Sequence, residues 1–201
     1  KSHLQIITLD LNKLENNITI ETVIEDINIK KKIFNSLSYK DNLFSNTSSI
    51  KLSDMGKNIN GFHFMNPVTI KLVELCKVGN YDENKLNFIL EELKKISYEI
   101  LDVVDSPGYI INKILFKDIS FFFYLLEKEK INFKDIKKIF LSELKKTDPI
   151  KLVNLIGVDT CLHVLVNLNK YDKQYYVPKL LEDSVKKNIL GNKNKKHFKI
   201  L

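Results

Sequence analysis

The chain has 201 residues, 44% of them hydrophobic and 28% charged, the balance of a folded globular protein rather than a disordered one. Its longest apolar run, residues 121–126, is far shorter than the roughly 20 residues a membrane-spanning helix needs. The net charge of +7 is carried without a single arginine, and base-edge readout relies on arginine's bidentate fork, so nucleic acid is not the expected partner. Neither a nucleic-acid nor a membrane partner is expected.

Cys76 and Cys161 have no metal-like spacing and form no disulfide framework, so no metal site is expected. With no signal-peptide pattern at the start, the expected compartment is the cytoplasm, or the mitochondrial matrix in a eukaryote. The glycines stand scattered at 56, 61, 79, 108, 157 and 191, making neither a G-x-G-x-x-G fingerprint nor a P-loop.

In chain order, Leu4-Gln5-Ile6-Ile7-Thr8-Leu9 and residues 18–24 are β-branched runs of strand length. Ile27, Ile29, Ile33, Phe34 and Leu37 are spaced for a helix within residues 26–37. Residues 42–45 and 59–64 read as further strands. Leu86, Phe88, Ile89, Leu90, Leu93 and Ile96 form a helical stripe, and residues 98–104 return to strand. Strands alternating with helices predict a parallel α/β sheet over residues 1–104.

Asp105-Ser106-Pro107-Gly108 marks a boundary, and residues 105–201 read as all-helical. Pro107 suits a helix start, and Ile110, Ile111, Ile114, Leu115, Ile119, Phe122, Phe123 and Leu126 line one wide apolar face. Further helices are predicted over residues 133–145, 149–168 and 177–190, and the lysine-rich tail 192–199 is expected to be mobile. This half is too apolar for a solvated lone bundle, which predicts packing against the first domain, a second copy, or both.

The chemistry concentrates in Gly61-Phe62-His63-Phe64-Met65-Asn66-Pro67, followed by Lys71-Leu72-Val73-Glu74. In a hairpin centred on residues 67–69, positions 63 and 74 fall opposite each other, so an imidazole meets a carboxylate. His163, in an apolar helical stretch, reads as structural, and both cysteines read as core.

These motifs occur in one order with Glu25-Asp26 and Lys30, Asn46-Thr47-Ser48-Ser49, Ser106-Pro107-Gly108-Tyr109-Ile110-Ile111-Asn112-Lys113 and Leu155-Ile156-Gly157-Val158-Asp159-Thr160. Together they resemble the 3-hydroxyacyl-CoA dehydrogenase family, nearest its short 3-hydroxybutyryl-CoA members, over almost the whole chain. The resemblance implies the second half of a Rossmann-like NAD-binding domain (1–104) followed by a helical domain used for homodimerisation (105–201). It implies NAD as cofactor and an acyl-CoA as substrate. His63 would exchange a proton with the substrate's 3-hydroxyl, work suited to an imidazole because its ordinary pKa lies near neutral pH. Glu74 would fix the imidazole's tautomer. Ser48 and Asn112 would hydrogen-bond the substrate's reacting oxygen. Glu25, Lys30, Asn46 and Asn66 would line the cofactor cleft on its ribose and nicotinamide side. The His63-to-Glu74 segment is one residue shorter than the family pattern, so the turn has to absorb the difference for the two side chains to meet. Two alternatives stay open at this stage: a non-catalytic dimerisation or interaction protein, and a dehydrogenase of a different hydroxy acid.

Overall fold

The computed structural model describes residues 17–65 and 70–200. The strand expected at residues 4–9 and the candidate Asn66 lie outside them. The chain divides into two compact units, Lys1–Tyr109 and Ile110–Leu201.

In the first unit β1 (Thr19–Glu21), β2 (Leu43–Ser45), β3 (Ile59–Phe64), β4 (Leu72–Cys76) and β5 (Glu99–Asp102) pair in that order. The pairs β1–β2, β2–β3 and β4–β5 are parallel, whereas β3–β4 is antiparallel. The wholly parallel sheet expected from the β/α alternation is therefore corrected to a mixed one. The short link from Phe64 to Leu72 cannot make the long crossover that a parallel pair requires.

Side chains alternate across this sheet as a period of two demands. Leu43, Ile59 and Cys76 pack with Phe34, Leu37, Ile50, Leu52, Met55 and Tyr109, while Phe44, Phe62, Val73 and Leu75 pack with Leu86 and Tyr98. Helix α1 (Ile27–Ser36) starts where the Asp26 carboxylate accepts the N–H groups of Asn28 (2.8 Å) and Ile29 (3.0 Å). The four-residue α2 (Leu52–Met55) was not read from the sequence. Its first N–H groups, on Leu52 and Ser53, donate to the carboxylate of Asp105, 53 and 52 residues further on. Helix α3 (Glu83–Lys95) is capped by Asp82 and turns Leu86 inward. The strand expected over 18–24 shortens to β1 because the backbone folds back after it, the Val23 N–H donating to Glu21 Oε1 at 2.6 Å.

The second unit is helical: α4 (Ile111–Glu127), α5 (Phe133–Lys138) running into a π-helical turn at Ile139–Glu143, α6 (Pro149–Ile156), α7 (Val158–Tyr171) and α8 (Lys179–Lys186). Phe116, Ile119, Phe122 and Phe123 of α4 make the centre of its core. The single helix expected over 149–168 is two helices meeting at 102°. Gly157 separates them at φ +106°, a conformation that L side chains rarely adopt. Asp148 starts α6 by accepting the N–H groups of Ile150 and Lys151, with Pro149 at the first turn.

The tail expected to be mobile is instead fixed. Asn154 accepts the Phe198 N–H (2.7 Å) and donates to the Phe198 carbonyl (2.9 Å), and Phe198 itself is buried against Phe123. Its lysines point outward while one aromatic anchors the segment, which composition alone misreads. Among the described residues no single helix is long and apolar enough to cross a membrane.

Candidate active site

The antiparallel register places His63 directly opposite Glu74. The imidazole Nδ1 lies 2.8 Å from Glu74 Oε2, with His63 6% exposed and Glu74 fully buried. A carboxylate only accepts, so Nδ1 carries the proton it shares with Glu74, and Nε2 is left as the basic nitrogen. The shortened link between β3 and β4 is thus absorbed without a slip, since a one-residue slip would have turned Glu74 to the opposite face.

Strand β2 ends beside this pair. The side chain of Asn46, the next residue in the chain, accepts the Phe64 N–H at 2.8 Å, tying the β2–α2 loop to the residue after His63. Its Oδ1 is used in that bond, which leaves the Nδ2 donor for a ligand.

The rest of that loop is held by Glu25. Its Oε1 accepts the Thr47 hydroxyl at 2.7 Å, the Ser48 and Ser49 N–H groups at 2.8 Å each, and the Ser49 hydroxyl at 3.0 Å. The Ser48 hydroxyl adds a longer contact of 3.3 Å. Burial by itself pushes the Glu25 carboxyl up. The Thr47 hydroxyl, the Lys30 ammonium and the two backbone donors outweigh it and hold the group below the ordinary carboxylate range.

Lys30 is fully buried. Its ammonium donates to both oxygens of Glu21 (2.8 and 2.9 Å) and to the Val23 carbonyl (3.3 Å), and it stands 3.4 Å from Glu25 Oε2. It therefore offers no surface to a ligand and acts on a cleft only through Glu25. With Glu21 and Glu25 it forms an internal triad rather than a surface ion pair. Glu21, which also accepts the Ser45 hydroxyl at 2.7 Å, went unread in the sequence. It looks there like the solvent-facing residue of an alternating strand, and its lysine partner is nine positions away.

Two more buried groups were given no role by the sequence, Asn60 on the opposite face of β3 from His63 and Tyr109 on the same face as His63. Asn60, fully buried, accepts the N–H groups of Val78 (2.9 Å) and Gly79 (2.8 Å), fixing the turn after β4. Tyr109 is buried with its ring centroid 5.9 Å from that of His63. Cys76, on the same face of β4, has its thiol pushed up to about 11 by burial and then by Asp105, so it stays protonated and is a poor nucleophile at neutral pH.

His63, Glu74, Asn46, Ser48, Glu25 and Lys30 thus all belong to the first unit. Asn112 stands half-buried in the first turn of α4, in the helical unit. His163, read as structural from its apolar helical stretch, is exposed on α7. Both cysteines are buried and free.

The sequence matches "3-hydroxyacyl-CoA dehydrogenase, NAD binding domain" over residues 2–106 and the family's C-terminal domain over residues 108–200. It is 30% identical to a 3-hydroxybutyryl-CoA dehydrogenase of Bradyrhizobium diazoefficiens, the alignment covering 90% of this chain and 67% of the relative. A 3-hydroxybutyryl-CoA dehydrogenase of Clostridioides difficile is also 30% identical, with 90% and 70% covered. Among solved structures, FadB2 of M. tuberculosis superposes with a TM-score of 0.78 at 27% identity, over 96% of this chain and 74% of that one. An (S)-3-hydroxybutyryl-CoA dehydrogenase from Ralstonia eutropha gives 0.72 at 25% identity, with the same coverage. On these matches, this chain belongs to the 3-hydroxyacyl-CoA dehydrogenase family.

Proposed function

We propose that the chain interconverts (3S)-3-hydroxyacyl-CoA and 3-oxoacyl-CoA, with His63 as the proton-transfer group. The observation that carries this reading is the buried 2.8 Å contact between His63 Nδ1 and Glu74. It leaves Nε2 as the nitrogen able to take the 3-hydroxyl proton in oxidation and return it in reduction. NAD, when bound, supplies the acceptor for the hydride that leaves C3. Glu74 keeps Nδ1 protonated and stabilises the positive imidazolium once the proton has arrived. Ser48, on the loop anchored by Glu25, is assigned to the substrate's reacting oxygen, where a hydroxyl donor steadies developing negative charge.

The residues present fit the nicotinamide and ribose side of the cofactor. Asn46 Nδ2 is a polar donor beside the carboxyl ends of β2 and β3, where open α/β sheets bind ligands. The 201 residues hold no glycine-rich turn for the pyrophosphate, so cofactor affinity is the direct test. NADH titrated into the purified chain, followed by acetoacetyl-CoA, should give saturable binding and oxidation of NADH. Sugar-acid substrates turned over in place of the acyl-CoA would move the substrate assignment to another hydroxy acid. Absence of binding, both here and in a longer polypeptide carrying a glycine-rich turn, would favour the non-catalytic alternative.

For the helical unit we infer pairing with a second copy. Ile114 (64% exposed) and Phe121 (52%) lie two turns apart on one side of α4, with Phe121 stacked on Tyr124. Apolar groups of this size, exposed in a row, mark an interaction surface. Phe121→Glu should convert a dimer to a monomer in light scattering, with the circular dichroism spectrum unchanged. A monomeric wild-type chain at micromolar concentration would refute the pairing.

A further inference from the structure

We propose that Tyr109 is a positioning residue that closes the buried side of the His63–Glu74 pair, and that Gly61 is small because the Tyr109 hydroxyl occupies the place of its Cβ. The inference rests on the proton-transfer role given to His63 above and adds a third residue to it.

Three observations converge on this side chain. Tyr109 is 2% exposed, yet its hydroxyl is without a hydrogen-bond partner among the described residues. Burying a phenol that way forfeits the bonds its hydroxyl makes to water, a cost that phenylalanine would avoid. Its backbone sits at φ +42°, directly after Gly108 at φ +76°, in a region that a bulky residue seldom enters. Strain of this kind persists where surrounding structure dictates it and gathers at functional sites. Finally, a Cβ built on Gly61 would collide with the Tyr109 hydroxyl oxygen, and would lie 3.0 Å from Cys76 Cβ and 3.1 Å from Tyr109 Cζ.

The sheet register explains why these coincide. Gly61 and His63 share one face of β3, and their cross-strand partners Cys76 and Glu74 share the same face of β4. Tyr109 lies across that two-by-two patch, its ring tilted 36° to the imidazole and its hydroxyl end over Gly61. A flat ring there excludes water from the carboxylate and limits rotation of the imidazole. Both effects strengthen a charge-assisted hydrogen bond, because the local dielectric falls. The groups facing the phenol are Cys76, Asp105, Glu25 and Glu74. Burial first, and these groups after it, push the phenol well above its ordinary range, so it stays neutral.

The test uses the full chain and two readouts. An imidazole Nδ1–H bonded to a dry carboxylate exchanges slowly and gives a far-downfield proton resonance, so that signal reports the cover directly. It should be present in wild type, retained in Tyr109→Phe, and lost or broadened in Tyr109→Leu. In turnover, Tyr109→Leu should lower kcat at least tenfold with KM changed less than twofold. Gly61→Ala should weaken the resonance by displacing the hydroxyl, and adding Tyr109→Phe, which leaves only the 3.0 and 3.1 Å contacts to Cys76 Cβ and the ring Cζ, should recover most of it. That pair decides the matter even if Tyr109→Leu fails to fold. A wild-type resonance that survives in folded Tyr109→Leu, or a Gly61→Ala defect that the added Tyr109→Phe does not relieve, would overturn the proposal. A chain with no turnover at all would sink the reaction assigned above, while the resonance would still decide the role of Tyr109.

Discussion

Exchange of His63 for glutamine is expected to lower turnover of an acyl-CoA substrate by about 10²–10⁴-fold, the usual worth of a positioned acid–base group. Glutamine keeps a polar side chain of similar reach but cannot carry a proton between substrate and solvent. Since the imidazole is buried and bonded to Glu74, the same change leaves a buried carboxylate facing an amide. A modest loss of stability should accompany the kinetic loss, and a thermal melt will separate the two. Glu74→Gln should be nearly as damaging. Its amide can donate to Nδ1 and so favour the tautomer with the proton on Nε2, leaving no base for the substrate. Should folded His63→Gln keep more than a tenth of wild-type kcat, another group moves the proton and the assignment is wrong.

The second large effect lies at Lys30. Lys30→Met leaves Glu21 buried without its cation and removes one of the charges acting on Glu25. Breaking one side of a buried pair costs about 3–5 kcal/mol, a large share of the stability of an ordinary domain. Denaturant unfolding should show it as a drop in midpoint at unchanged slope. Adding Glu21→Leu should recover much of the loss, because the stranded charge is then gone. The pH dependence has a definite sign. The Glu25 carboxyl is lower in the folded state than its ordinary value of 4.5. The stability it contributes is therefore fully present above that value and lost as pH falls through the lower folded value. Lys30→Met should move this acid limb to higher pH. An acid transition that stays where it was would mean the Thr47, Ser48 and Ser49 donors hold Glu25 without help.

What could be read from the sequence was whatever local periodicity dictates. Strand β3 runs over residues 59–64 as the apolar pattern required, and alternation on both sides of one turn was enough to bring position 63 opposite 74. Helix α1 followed from its apolar spacing. The remainder depended on which polar groups are swallowed by the fold. Lys30 opens a run of three lysines, and nothing local separates the one pointing into the protein from its two exposed neighbours. Glu21 meets it only because β1 and α1 are joined by a tight loop. The apolar pattern of α6 continues into α7 across Gly157, so periodicity reads one helix where the backbone turns through 102°. Tyr109 was part of a recognised motif, but its hydroxyl's position over Gly61 depends on sheet pairing that no single stretch encodes. Of the candidate site, the contact between His63 and Glu74 was legible, and the scaffold that holds its neighbouring loop was not.

The clasp between Asn154 and Phe198 bears on how the protein is made. Phe198 is the last member in chain order of the aromatic cluster that contains Phe123 and Phe140. Domains tend to fold as units while synthesis proceeds from the N-terminus. The sheet-containing unit has its hairpin and both packed faces assembled by residue 109, so it is free to form while the helices are still being added. The helical unit has a different schedule. Its core stays open until residue 198 has cleared the ribosome, and during that interval Phe123 and its neighbours lack their closing aromatic. Translation arrested shortly before that point would release a polypeptide whose helical unit still exposes its aromatic interior to chaperones and proteases.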